Sequence, residues 1–118
     1  MITRPTPEVD IGIEQGATWS QTFTWLRNTE PVDLSGCTAR AQARLSVENP
    51  EKAIELTTEN GGIVLGGTAG TVTFQLSDAQ TSAIPTAKYV YDLEIVRVDG
   101  TVEKMQRGKI VVWAEVTR

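Results

Sequence analysis

The sequence predicts an all-β protein built as one antiparallel β-sandwich of about eight strands, and three observations predict it. Apolar and polar residues alternate with a period of two along most of the chain. Clusters of Gly, Pro, Asn and Asp separate the alternating runs at short spacing. Only one stretch carries a helix-start pattern. At 118 residues one domain is expected, since a chain of this size can bury roughly two-thirds of its unfolded surface around a single core.

The elements follow in order. Residues 1–7, polar and containing Pro5 and Pro7, read as an extended arm that precedes a sandwich domain over 8–118. Val9, Ile11 and Ile13 alternate with Asp10, Gly12 and Glu14 in a first strand that stops at Gln15-Gly16. Trp19, Phe23 and Trp25 share the inward face of a second strand. Asn28 to Gly36 is a connection dense in turn formers. In a third strand, Thr38 to Leu45, Ala39, Ala41, Ala43 and Leu45 point inward and Arg40, Gln42 and Arg44 outward. Three alanines on one face suit close approach of the opposite sheet, or the bulk of the tryptophans across it.

A short strand around Ala53, Ile54 and Leu56 comes next, then Ile63-Val64-Leu65 between Gly pairs, then Thr71 to Leu76. Ser77-Asp78-Ala79-Gln80 has the spacing of a capping box and predicts one short helical turn near 77–83, which Pro85 prevents from continuing. The strongest strand is Lys88 to Val98, with Tyr89, Tyr91, Leu93 and Ile95 on one face. Asp99-Gly100 predicts a tight type I′ hairpin. The returning strand is expected to break at Gly108, a bulge or close approach, and to resume with Ile110, Val112, Ala114 and Val116 inward. That places Val111 and Trp113 outside. Ile84-Pro85-Thr86-Ala87-Lys88-Tyr89 has the form of the tyrosine corner of immunoglobulin-like sandwiches, which favours a sandwich over a barrel.

Composition excludes much chemistry. The 40% hydrophobic and 22% charged residues are globular values, far from those of disordered chains. A net charge of −4, with Arg40, Arg44, Arg97 and Arg107 scattered among acidic residues, makes nucleic acid a poor partner. No apolar run of membrane-spanning or signal-peptide length is present, so no membrane partner and a cytoplasmic origin are expected. The sequence has no histidine, the commonest general base near neutral pH and the commonest transition-metal ligand. Cys37 is alone and reads as a small packed thiol. Asp92 and Glu94 share a strand face and read as its solvated side. The Gly61-Gly62 and Gly66-Gly67 pairs match no phosphate-loop spacing, and no calcium-loop pattern occurs. No catalytic residue, cofactor, metal or small-molecule substrate is expected. The candidate partner contacts are Trp113 and Val111 on the outer sheet face, and Arg4 and Pro5 in the arm, which could reach a neighbouring subunit.

Pro31-Val32-Asp33-Leu34-Ser35-Gly36-Cys37-Thr38-Ala39-Arg40-Ala41-Gln42-Ala43-Arg44, a Gly-bounded strand, Tyr89-Val90-Tyr91-Asp92-Leu93-Glu94-Ile95, the Asp99-Gly100 hairpin and the ending Gly108 to Arg118 resemble small tail or baseplate-associated virion proteins of bacteriophages and prophages. They are similar in particular to the immunoglobulin-like N-terminal domains of upper baseplate proteins. The helical and docking regions that follow in those proteins have no counterpart in these 118 residues. The resemblance implies a non-enzymatic structural protein located in the virion, in the tail, baseplate, connector or capsid decoration, present as a homo-oligomer or in many copies and contacting other virion proteins. It transfers no specific binding residue. The alternative is a carbohydrate-binding sandwich module, for which the three tryptophans would supply aromatic faces.

Overall fold

The computed structural model describes residue 2 and residues 4–118. Among them lie ten strands: β1 (Ile11–Glu14), β2 (Trp19–Thr24), β3 (Leu26–Arg27), β4 (Glu30–Pro31), β5 (Thr38–Arg44), β6 (Ile54–Thr57), β7 (Ile63–Leu65), β8 (Thr71–Leu76), β9 (Ala87–Val96) and β10 (Val102–Trp113). A 3₁₀ turn at Gly67–Ala69 precedes β8, and one helix, α1 (Asp78–Ser82), joins β8 to β9. Eight of the strands exceed two residues. The other two, β3 and β4, form a small hairpin inside the long connection, turned by Asn28 and Thr29 at positive φ.

The main strands form two sheets, one of five strands in the order β1-β10-β9-β5-β6 and one of three in the order β2-β8-β7. With the tyrosine corner below, this is an immunoglobulin-like β-sandwich. Among the described residues every strand pairing is antiparallel except one: β1 runs parallel to β10, with Ile11 opposite Ile110 and Ile13 opposite Val112, a course the Glu8–Arg107 bridge already takes ahead of β1, which makes the larger sheet mixed.

The core is the sum of the inward positions. Ala39, Ala41 and Ala43 of β5, Phe74 and Val72 of β8, and Tyr89, Tyr91, Leu93 and Ile95 of β9 are all buried. Alanine leaves room for the opposite sheet, and β7 comes within 8 Å of β5 between Cα atoms. Trp19, Phe23 and Trp25 are half-buried and pack against this core. Phe74 is its aromatic hub, with ring centroids 5.2 Å from Phe23 and 6.4 Å from both Trp19 and Tyr91. Many immunoglobulin domains place a disulfide-bonded cysteine two residues after the corner tyrosine. Here that position is Tyr91, so aromatic contacts through Phe74 cross the space between the sheets.

Two local devices fix the turn into β9. Ser77 Oγ accepts from the Gln80 N–H while the Gln80 side chain accepts from the Ser77 N–H, a complete capping box. The Tyr89 hydroxyl donates to the Pro85 carbonyl, four residues upstream, which is the tyrosine corner.

Four local expectations differ from the structure. The β9–β10 hairpin is not type I′: only Gly100 has positive φ (89°). The Arg97 N–H donates to Thr101 O, Gly100 N–H to Arg97 O, and Thr101 N–H to Asp99 Oδ1, giving a three-residue turn that ends in a left-handed glycine. β10 does not break at Gly108. Its register shifts at Lys104/Gln106 instead, and Gly108 is the close approach, since a Cβ there would lie 2.3 Å from the Val9 carbonyl oxygen. Leu45 is 57% exposed because β5 ends at Arg44. Ala114 is exposed and Val116 is 94% exposed because β10 ends at Trp113.

The segment read as an arm divides in two. Met1 and Thr3 lie outside the described residues, and Arg4 and Pro5 are exposed. From Pro7 onward the chain is already zipped to β10: the Arg107 N–H donates to Pro7 O and the Val9 N–H to Arg107 O, at 3.0 and 2.7 Å.

Candidate interaction surface

The surface that gathers functional side chains is the outer face of the five-stranded sheet. Register decides which side chains meet there. Arg40 of β5 lies opposite Glu94 of β9, which lies opposite Lys104 of β10. In the next row Gln42, Asp92 and Arg107 are aligned, and in the third Arg44, Val90 and Lys109. These rows form because of the bulge in β10. Alternation would put Lys104 on the same side as Ile110, but the register shift with Met105 and Gln106 both buried turns Lys104 out beside Arg107 and Lys109.

Every charged side chain of the first two rows is paired, Arg107 with Glu8 from outside them. Arg40 Nε meets Glu94 Oε1 at 2.7 Å, and Lys104 Nζ bridges Asp92 at 2.8 Å and Glu94 at 2.5 Å. Hydrogen bonds from Lys104 and then Arg40 hold the Glu94 carboxyl below the ordinary carboxylate range. Asp92 and Glu94 are thus the charged middle of the sheet face, each engaged by a cation. Arg107 Nη1 meets Glu8 at 3.0 Å, while its Nε is buried with no acceptor among the described residues.

A shallow groove of about 520 Å³ runs over this face, lined by Arg4, Arg44, Val47, Val90, Arg107 and Lys109 together with the paired acids. The arginines scattered in sequence are therefore partly collected in space: Arg40, Arg44 and Arg107 share the face. Arg97 does not. It bonds to Glu103 at 3.0 Å at the far end of the sandwich, where Arg27 also reaches Glu103 at 2.7 Å and both guanidinium groups lie over the Trp25 ring. Only the pairing register brings the rows together, so composition gave no sign of them. The usable signal was the outward alternation of Arg40, Gln42 and Arg44 against Asp92 and Glu94.

The four residues picked from sequence fall as follows. Trp113 is 55% exposed on the outer face, its ring lying over Gly12 of β1, where a Cβ would come within 2.5 Å of it. Val111 is half-buried on the same face, in register between Gly12 and Lys88. Arg4 joins the groove, whereas Pro5 is exposed and is not part of the groove lining. Cys37 stands at the other end of the sandwich, in a hollow with Asp33, Ser35 and Arg97. Among the described residues no group of three or more His, Cys, Asp or Glu is placed to hold a metal ion, and no helix is long and apolar enough to cross a membrane.

No family model matches the chain, and no curated protein matches it. A solved structure described as chicken TCR does, with a TM-score of 0.56 at 11% identity. The match covers 95% of this chain and 56% of that one, so the present chain spans little more than half the length of its structural neighbour. At that identity the likeness concerns fold alone, and in fold the chain is an immunoglobulin-like β-sandwich.

Proposed function

We propose that the protein is a non-enzymatic structural component of a bacteriophage virion, in the tail, baseplate, connector or decoration, repeated in several copies and acting through contacts with other virion proteins. The observation that carries the reading is the open outer face of the five-stranded sheet. Among the described residues no helix or second layer covers it, yet Trp113 stands exposed on it beside the half-buried Val111. Exposed aromatic residues beside ordered charges are what protein interfaces are made of. The groove is open, and its acids, Glu8, Asp92 and Glu94, are each engaged by a cation, as in a structural ion-pair network. The resemblance of Pro31–Arg44, Tyr89–Ile95 and Gly108–Arg118 to phage tail and baseplate proteins supplies the setting, and synthesis in the host cytoplasm goes with it.

A carbohydrate-binding role has less support. Trp19 is packed against Phe74, and Trp25 carries two guanidinium groups over its ring. Trp113 is then the one tryptophan available as a sugar platform, and it stands apart from the other two. Mass spectrometry of purified particles tests the virion reading. Peptides of this chain at a stoichiometry above trace support it, and their absence from intact particles rejects it.

A further inference from the structure

We propose that the third row of the sheet face, Arg44, Val90 and Lys109, is the docking site for an acidic segment of a partner protein. The choice of a protein partner rests on the reading above. The site itself rests on where charge is left over. In the first two rows every basic side chain meets a carboxylate within 3.0 Å. In the third row, among the described residues, neither Arg44 nor Lys109 forms an ion pair, and Val90 stands between them where the other rows carry Asp92 and Glu94. Arg4 lines the same groove and is likewise outside every ion pair among these residues. The groove's own acids, Glu8, Asp92 and Glu94, are each held by a cation of the first two rows, and Asp10 accepts from the Lys109 backbone N–H at 3.0 Å.

Arg44 is oriented without being neutralised. Its Nη1 donates to the Asn49 carbonyl at 2.9 Å and its Nη2 to Gln42 Oε1 at 2.8 Å. Both acceptors are uncharged, so the guanidinium keeps its full charge in a fixed position and has further N–H donors to offer a carboxylate. Arg44 and Lys109 arise from strands two places apart, roughly 10 Å at the backbone, so two acidic side chains of one segment can each take one cation. Val90 and the exposed Val47 lie in the same groove and fit an apolar side chain between the two acids. A nucleic acid fits less well, because its closely spaced phosphates would also meet Glu8, Asp92 and Glu94 in this groove.

The test is an NMR titration of the isotopically labelled full chain with a short synthetic peptide of alternating Glu and Val at low salt. Shifts clustered at Arg44, Val90, Lys109 and Val111 are expected. Arg44→Glu with Lys109→Glu should weaken binding at least about tenfold, the equivalent of one lost charge-assisted contact, while Arg27→Glu at the far end should leave it unchanged. The milder pair Arg44→Gln with Lys109→Gln serves if charge reversal unfolds the protein. Shifts spread evenly over the surface, or binding unaffected by either pair, overturn the proposal. So does a DNA duplex that binds these residues more tightly than the peptide, or a self-associated protein that the same substitutions disperse, which would make a second copy the occupant. Failure here leaves the virion assignment standing, and absence from particles leaves this site standing.

Discussion

The hydroxyl of Tyr91 donates to the carbonyl oxygen of Val9 at 2.6 Å, across 82 residues of sequence, and accepts from the Gln106 side-chain amide at 3.1 Å. Three elements meet at one oxygen: the strand that fills the core, the segment leading into β1, and the bulged part of β10. Gln106 is 3% exposed, so its amide depends on this hydroxyl.

Tyr91→Phe therefore strands a buried amide and loosens the hold on Val9. Unmet buried polar groups cost about 1–3 kcal/mol each, so a loss of about that size is expected. Urea denaturation, with a lowered midpoint and unchanged slope, checks it.

The same residue governs stability in alkali. Burial pushes the Tyr91 hydroxyl from 10.0 up to about 12. The folded protein keeps the proton that the unfolded chain releases first. Stability from this group is complete below pH 10 and is lost as pH rises from there toward 12. Glu94 acts in the opposite sense. Its carboxyl is held below 4.5, so its contribution is present above that value and is lost as pH falls through the lower folded one. Melting temperatures across pH should fall at both ends, with Tyr91→Phe flattening the alkaline limb and Glu94→Gln the acid limb.

Two glycines of the same neighbourhood should respond differently to alanine. At Gly108 the new Cβ would meet the Val9 carbonyl, backbone that cannot move without disturbing the β1–β10 zipper. Overpacking of this kind costs about 1–3 kcal/mol. At Gly12 it would meet the ring of Trp113, which is half-exposed and can swing outward. Gly12→Ala should shift tryptophan emission to the red with little change in the melting midpoint, whereas Gly108→Ala should lower the midpoint.

Removal of the helix cap is a third local test. Ser77→Ala leaves the Gln80 N–H without its side-chain acceptor at the entry to the tyrosine corner. A loss of about 1 kcal/mol is expected, measured by thermal or chemical unfolding, and Ser77→Asp should restore most of it.

What could be read from the sequence was what short-range patterning encodes. Tyr89, Tyr91, Leu93 and Ile95 alternate without a fault, and they are buried in that order. Ser77 and Gln80 stand three apart, and they cap each other. Long-range choices left no such trace. Nothing local to Ile11–Glu14 distinguishes a parallel partner from an antiparallel one. The bulge sits at Met105, between residues with no turn preference, while Gly108 attracted the expectation of a break. The candidate surface was hidden for the same reason: Arg44 and Lys109 become neighbours only through the register of both with Val90.

The parallel course of β1 beside β10 also sets how the domain would bear load. A pull that draws the chain ahead of β1 away from the chain beyond β10 acts on two adjacent ribbons in opposite directions along their common axis. The bonds from Val9 to Arg107, from Arg107 to Pro7 and from Gln15 to Trp113 are then strained together in shear and do not open one after another. A sandwich fastened in this way resists being drawn out lengthwise far better than it resists having one strand peeled from its edge.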